Sequence, residues 1–242
     1  MEIIPAIDLK SPKSVRLYQG DFDQITLIDA DPLQQALAIQ KAGLTRLHLV
    51  DLDGAKTGRP VNRTIIEQIC AQTNLKVEVG GGIRTLAQVN QYLTSGVDRV
   101  ILGSAALTDP TLVQTAIQQF GNDQIVIGID GKNGRVAISG WLEESDVTMT
   151  ALMTAMVAFG AVNFIVTDIE RDGTLSGPNV AQLAALQTAF PMTNIVASGG
   201  VTTKQDLAAL AQAGLQAAIV GRAMATGDLP LAQLAEVAED VS

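Results

Sequence analysis

Eight short aliphatic runs alternate with eight longer amphipathic segments along this chain of 242 residues. The runs cover 2–8, 46–51, 76–79, 98–102, 124–129, 162–167, 194–198 and 217–220. A run apolar on both faces and bounded by turn residues reads as a parallel strand buried between two layers. The intervening segments, near 31–42, 61–73, 85–95, 109–119, 148–159, 179–189, 203–213 and 229–239, read as helices. Asp109, Thr85 and Thr203 stand where helix N-caps are needed. Eight strand–helix pairs in a chain of this length match the arithmetic of a closed (β/α)8 TIM barrel. A doubly wound open sheet is the alternative architecture. Gly and Pro gather at strand ends rather than between blocks, so one domain over residues 1–242 is expected. Two stretches, 9–30 and 131–147, exceed minimal connections and read as substrate loops or lids.

The chain also resembles itself. Val79-Gly80-Gly81-Gly82-Ile83 returns as Ala197-Ser198-Gly199-Gly200-Val201, and Val100-Ile101-Leu102-Gly103-Ser104-Ala105 as Ala218-Ile219-Val220-Gly221-Arg222-Ala223. The offset is 118 residues in both cases. Leu49-Val50-Asp51 runs parallel to Ile165-Val166-Thr167, and Ala6-Ile7-Asp8 to Gly128-Ile129-Asp130. The reading is a twofold half-barrel repeat, about 1–120 and 121–242.

Composition narrows the function classes. Aromatic residues make up 3% of the chain and apolar residues 47%, so the core must be aliphatic. The formal net charge of −9 gives no general attraction to nucleic acid, and an anionic ligand must be held by local donors. A single cysteine, Cys70, excludes an internal disulfide and a paired-cysteine zinc site, which fits a reducing cytoplasm. No signal peptide is read at Met1–Pro5, and no run approaches a membrane span. The expected partner is a small molecule, with no nucleic acid, no membrane and a monomeric chain.

The glycine turns carry the first chemistry. Gly81 and Gly82, Gly103 with Ser104, Gly199 and Gly200, and Gly221 with Arg222 all follow strand ends. Glycine lets backbone N–H groups approach an anion, and barrels often bind phosphate at such turns. Arg84 and Arg222 are placed to add charge-assisted bonds. Two matched turns imply a ligand phosphorylated at both ends. Asp8 and Asp130 close equivalent strands and are candidates for divided acid and base roles. Asp172 is a third candidate; Asp51, Asp53 and Asp168 are weaker candidates that read more readily as structural. A magnesium site from Asp8, Asp51 and Asp130 is a minor alternative to no metal at all. His48, the sole histidine, reads as a packed or hydrogen-bonded strand residue. Trp141, the sole tryptophan, stands in a long loop where it can stack on a heterocycle.

Five segments together, Ile4-Pro5-Ala6-Ile7-Asp8-Leu9, Val15-Arg16-Leu17-Tyr18-Gln19-Gly20-Asp21, Val50-Asp51-Leu52-Asp53-Gly54-Ala55, Val79-Gly80-Gly81-Gly82-Ile83-Arg84 and Asp172-Gly173-Thr174, closely resemble the phosphoribosylformimino-aminoimidazole carboxamide ribotide isomerases of histidine biosynthesis. The resemblance covers essentially the whole chain. It implies a (β/α)8 barrel that converts an aminoaldose bisphosphate to the aminoketose by an Amadori rearrangement, without a cofactor. It implies Asp8 as the base for the C2 proton and either Asp130 or Asp172 as the acid, with Thr167 as a polar participant. It places Arg16, Gly20, Gly173 and Thr174 with the glycine turns among the substrate contacts. Three rivals follow. The cyclase subunit of imidazole glycerol phosphate synthase carries Cys-Leu-Asp where this chain has Ala6-Ile7-Asp8. Bifunctional relatives that also isomerise phosphoribosyl anthranilate tend to carry Arg-Gly-Trp where this chain has Ser139-Gly140-Trp141. A barrel that only binds phosphometabolites would not need paired aspartates.

Overall fold

A computed structural model describes residues 1–18, 20–138, 141 and 143–240. In chain order its strands are β1 (Glu2–Lys10), β2 (Lys13–Tyr18), β3 (Asp21–Asp29), β4 (Arg46–Asp51), β5 (Lys76–Gly80), β6 (Arg99–Leu102), β7 (Ile125–Lys132), β8 (Arg135–Ile138), β9 (Glu143–Thr148), β10 (Asn163–Asp168), β11 (Asn194–Ser198) and β12 (Ala217–Val220). Eight of these, β1, β4, β5, β6, β7, β10, β11 and β12, pair in parallel in that order around a ring. The β7–β10 and β12–β1 ladders close it, which rules out the open sheet. The architecture is the (β/α)8 barrel.

Successive residues of a strand point to opposite faces, so closure sorts every strand into an inner and an outer set. Ile4 and Ala6, Ile101, Val126, Ile165, Val196, and Ala217 with Ile219 form one buried cluster inside the ring. Their strand neighbours Ile7, Leu49, Val79, Leu102, Ile127, Val166, Ala197 and Val220 belong to a larger cluster between strands and helices. The residues of this inner cluster are aliphatic and of modest size, as the sparse aromatic composition requires.

The main helices are α1 (Pro32–Lys41), α3 (Arg63–Gln72), α4 (Leu86–Thr94), α6 (Pro110–Phe120), α7 (Met149–Ala158), α8 (Val180–Ala189), α9 (Lys204–Gln212) and α11 (Leu231–Asp240), with short α2 (Leu52–Thr57), α5 (Ser104–Thr108) and α10 (Arg222–Thr226) between them. The expected caps form. Thr85 and Thr203 close capping boxes with Gln88 and Asp206, and the Asp109 side chain accepts from the Leu112 N–H. Each satisfies backbone donors that a helix start leaves open. The short helices are too brief for a period to show in sequence.

Two expectations need correction. Residues 9–30 and 131–147 are not simple loops: β2 and β3 pair antiparallel after β1, and β8 and β9 after β7. Their mixed polar composition hid the strands, because a ribbon standing at the mouth needs no aliphatic run. No helix among the described residues is long and apolar enough to cross a membrane.

The turns after β5 and β11 are held by backbone contact rather than by side chains. Gly82 has φ +73°, and a β-carbon there would lie 1.9 Å from the Gly54 carbonyl oxygen. At Gly200, φ is +84° and the corresponding contact is 2.4 Å from the Gly177 oxygen. Gly121 also has positive φ, but a β-carbon there meets nothing within 4 Å. Gly82→Ala is therefore expected to cost about 3 kcal/mol or more, lowering Tm by roughly 10 °C, while Gly121→Ala costs about 1 kcal/mol. Paired thermal melts check this, and equal losses at the two sites would contradict the contact argument.

Candidate active site

Asp8 lies near the end of β1 and Asp130 near the end of β7, with three barrel strands between them in either direction, so they face each other across the mouth. The turns after β5 and β6 face those after β11 and β12 in the same way. One glycine rim therefore carries Gly81, Gly82, Gly103 and Ser104, and the opposite rim Gly199, Gly200, Gly221 and Arg222. The aspartates stand on the axis between the rims. Thr167, on β10, is buried in register with Asp130 on one side and Ser198 on the other.

Two arms fold back over this mouth. Arg16 on β2 places Nη1 2.6 Å from Asp8 Oδ2, and its Nη2 donates to the Ala6 carbonyl at 2.5 Å. The guanidinium reaches as far as Gly221, where a β-carbon would lie 2.6 Å from Nη2. A residue from the first ribbon thus touches both a mouth aspartate and the turn after β12. From the second ribbon, Trp141 donates its indole N–H to Asp130 Oδ2 at 2.9 Å. Its ring leans on Gly20, whose missing side chain leaves room for it. The two ribbons meet there. Ser139 and Gly140, which precede Trp141, lie outside the described residues, as does Gln19.

Asp172 follows β10 in a turn anchored by its own backbone N–H to the Asp168 carbonyl. It is only partly exposed, and desolvation pushes its carboxyl up to about 6. Arg16 and His48 pull the other way, and Asp8 and Asp130 add to the rise. Those four groups therefore lie within electrostatic reach of Asp172. Next to it, the Gly173 carbonyl accepts from Arg222, whose guanidinium also sits 5.3 Å from the centre of the Tyr18 ring. Thr174 Oγ1 donates to the Arg171 carbonyl and shares a hydrogen bond with Ser176. Arg84 is exposed at the opposite rim and touches the Ala55 carbonyl.

The remaining aspartates have other work. Asp51 is fully buried on the outer face of its strand, accepting from the N–H groups of Gly54, Val61 and Asn62 and from the Asn62 side chain. It therefore cannot share a magnesium ion with Asp8 and Asp130 inside the mouth. Asp168, the last residue of β10, likewise accepts from an asparagine side chain, that of Asn179, at 2.9 Å. Asp53 accepts from Ser11 N–H and from Asn62. The structural reading of all three holds.

Sequence reasoning passed over Glu78. It is fully buried on β5, and its Oε1 lies 2.8 Å from His48 Nδ1. The signal was available: a lone charge in Val77-Glu78-Val79 shares the inward parity of Gly80. His48 is hydrogen-bonded within its strand layer, as expected.

Known proteins give the comparison. Residues 2–230 match the family described as histidine biosynthesis protein. A relative from Leuconostoc mesenteroides is 56% identical over 97% of this chain and 99% of its own length. One from Lacticaseibacillus paracasei is 54% identical over 98% and 99%, and one from Listeria innocua 51% identical over 98% of each. All three are named 1-(5-phosphoribosyl)-5-((5-phosphoribosylamino)methylideneamino)imidazole-4-carboxamide isomerase. With that likeness running from end to end of the barrel, the chain belongs to the histidine biosynthesis protein family.

Proposed function

We propose that this chain is the isomerase its relatives are named for, acting on a ribotide phosphorylated at both ends. The observation that carries the reading is the ring order: two glycine rims face each other across the mouth, and Asp8 and Asp130 stand between them. A long ligand with a phosphate on each rim lays its central sugar against the aspartates. The phosphate contacts are Gly81, Gly82, Gly103, Ser104 and Arg84 on one side, and Gly199, Gly200, Gly221, Arg222, Gly173 and Thr174 on the other. Matching Asp51–Asn62 and Asp168–Asn179 pairs support reading the barrel as two half-barrel copies.

In the proposed mechanism, the acid protonates the ribose ring oxygen, the ring opens, and a protonated Schiff base forms. That cation acidifies the C2 proton, Asp8 removes it, and the enol amine takes up a proton at C1 while its 2-hydroxyl gives one up, leaving the aminoketose. We assign the acid to Asp172, because burial holds its carboxyl near 6, where a proton is both present and transferable close to neutrality. Asp130 and Thr167 orient the sugar, and Trp141, tethered to Asp130, covers it. Arg16 is assigned to hold Asp8 until the substrate arrives. General acid–base steps contribute about 10²–10⁴-fold each, and anchoring of both phosphates contributes the rest through positioning. One cysteine, partly buried, and a small-molecule substrate favour a cytoplasmic enzyme.

Two outcomes are expected. Asp8→Asn lowers kcat by about 10³-fold or more, read as the absorbance change on aminoketose formation. Activity kept at the wild-type level would refute the base assignment. Asp172 tests the acid separately, through stability. Its folded pKa is raised from 3.8 to about 6. The carboxylate therefore weighs against folding above that pH, and the penalty is absent below about pH 4, where both states are protonated. Asp172→Asn relieves it, so the variant gains on the wild type between pH 4 and 6 and then levels off, by on the order of 2 kcal/mol. Urea denaturation at pH 4, 5, 6 and 7 measures the difference; a gap independent of pH would mean that the carboxyl is not perturbed.

A further inference from the structure

Glu78 is a charge the proposed mechanism leaves unused. It sits on the inner face of β5 with no solvent exposure, one oxygen on His48 Nδ1 at 2.8 Å and the other, Oε2, without a hydrogen-bond partner. Burying a carboxyl with an oxygen unsatisfied is costly, and such a group in a barrel interior calls for a reason beyond stability. His48, opposite it in register on β4, keeps 12% side-chain exposure. The carboxyl is thus dry, while the ring bonded to it keeps a share of solvent. With Nδ1 engaged by Glu78, Nε2 is the ring nitrogen left for other contacts.

We infer that Glu78 is a positioning residue for the proton transfer proposed above, acting through His48 to set the charge that the Asp172 carboxyl meets across the mouth. The inference rests on the reading of Asp172 as the acid. His48 lies on the ring strand next to β1, in register with Ala6, one layer below the Asp8–Val50 pair. Its charge reaches Asp172, alongside those of Asp8, Asp130 and Arg16. Glu78 holds that ring through the Nδ1 contact, and the proposed influence on Asp172 runs through it. Beneath the couple, Arg46 on the same strand as His48 feels Glu78 and is neutralised by Glu2 and Asp98, while Arg99 on β6 faces Glu78 in register. A purely structural Glu78 would serve those arginines alone and leave the mouth unchanged.

The test is the titration of Asp172 in the ligand-free enzyme, followed by carboxyl carbon NMR, together with the pH profile of kcat/KM, in Glu78→Gln, His48→Gln and the double variant. Loss of the ring's charge, or of its orientation, raises the Asp172 midpoint by about half a pH unit or more. The alkaline limb of kcat/KM moves up by the same amount, since the acid works protonated. The double variant shifts no further than His48→Gln alone, as coupling through one ring requires. An unmoved midpoint in His48→Gln, or single shifts that add in the double variant, overturns the inference; His48→Gln decides the matter even if Glu78→Gln does not fold. Wild-type activity in Asp172→Asn would instead overturn the acid assignment, and the midpoints would still report on the couple.

Discussion

Closure of the sheet is the constraint on which the rest depends. The β7–β10 ladder joins the two ends of an otherwise open parallel sheet, pairing six residues from Asn163–Val126 to Asp168–Gly131. Without it, the inner faces would need a second layer of helices. With it, inner side chains need only fill a narrow ring, where a cluster of Ile, Val and Ala packs beside the Glu78–His48 pair. Closure also fixes the angular position of every strand end. Asp8, Asp130 and the four glycine turns are far apart in sequence, and only the ring makes them opposite or adjacent.

The same closure creates an electrostatic problem at the mouth. Three aspartates converge there in a chain that is already strongly acidic. The structure answers with one guanidinium from outside the barrel, Arg16, and one indole N–H, Trp141, each bonded to a different carboxyl. Asp172 has no such side-chain partner among the described residues and bears the desolvation directly. A barrel selected for stability alone would avoid this arrangement. The proposed proton transfers on a bisphosphate anion would give it a use, because phosphates would be drawn to backbone donors at the rims and kept from the acidic centre.

Much of the fold could be read directly from residues. The runs 46–51, 194–198 and 217–220 coincide with observed strands, because a strand buried on both faces writes itself as an aliphatic run. The caps at Thr85, Asp109 and Thr203 were legible because their chemistry is local. The two ribbons were not, since Asp21–Asp29 and Glu143–Thr148 are polar strands whose pairing depends on a partner rather than a core. Glu78 escaped for a related reason: one charged residue in a strand takes on meaning only when the ring places His48 beside it.

The sequence by itself determined the alternation of strands and helices, the aliphatic core, the turn glycines and the presence of three candidate carboxyls, because each is set by residue type and spacing along the chain. Tertiary structure alone decided that Arg16 lies on Asp8, that Trp141 lies on Asp130, that Asp51 turns outward and that His48 rests on Glu78. Those contacts join residues brought together by barrel closure and by ribbons folding back over it. Side chains that meet through such long-range geometry leave no periodic trace in the chain that carries them.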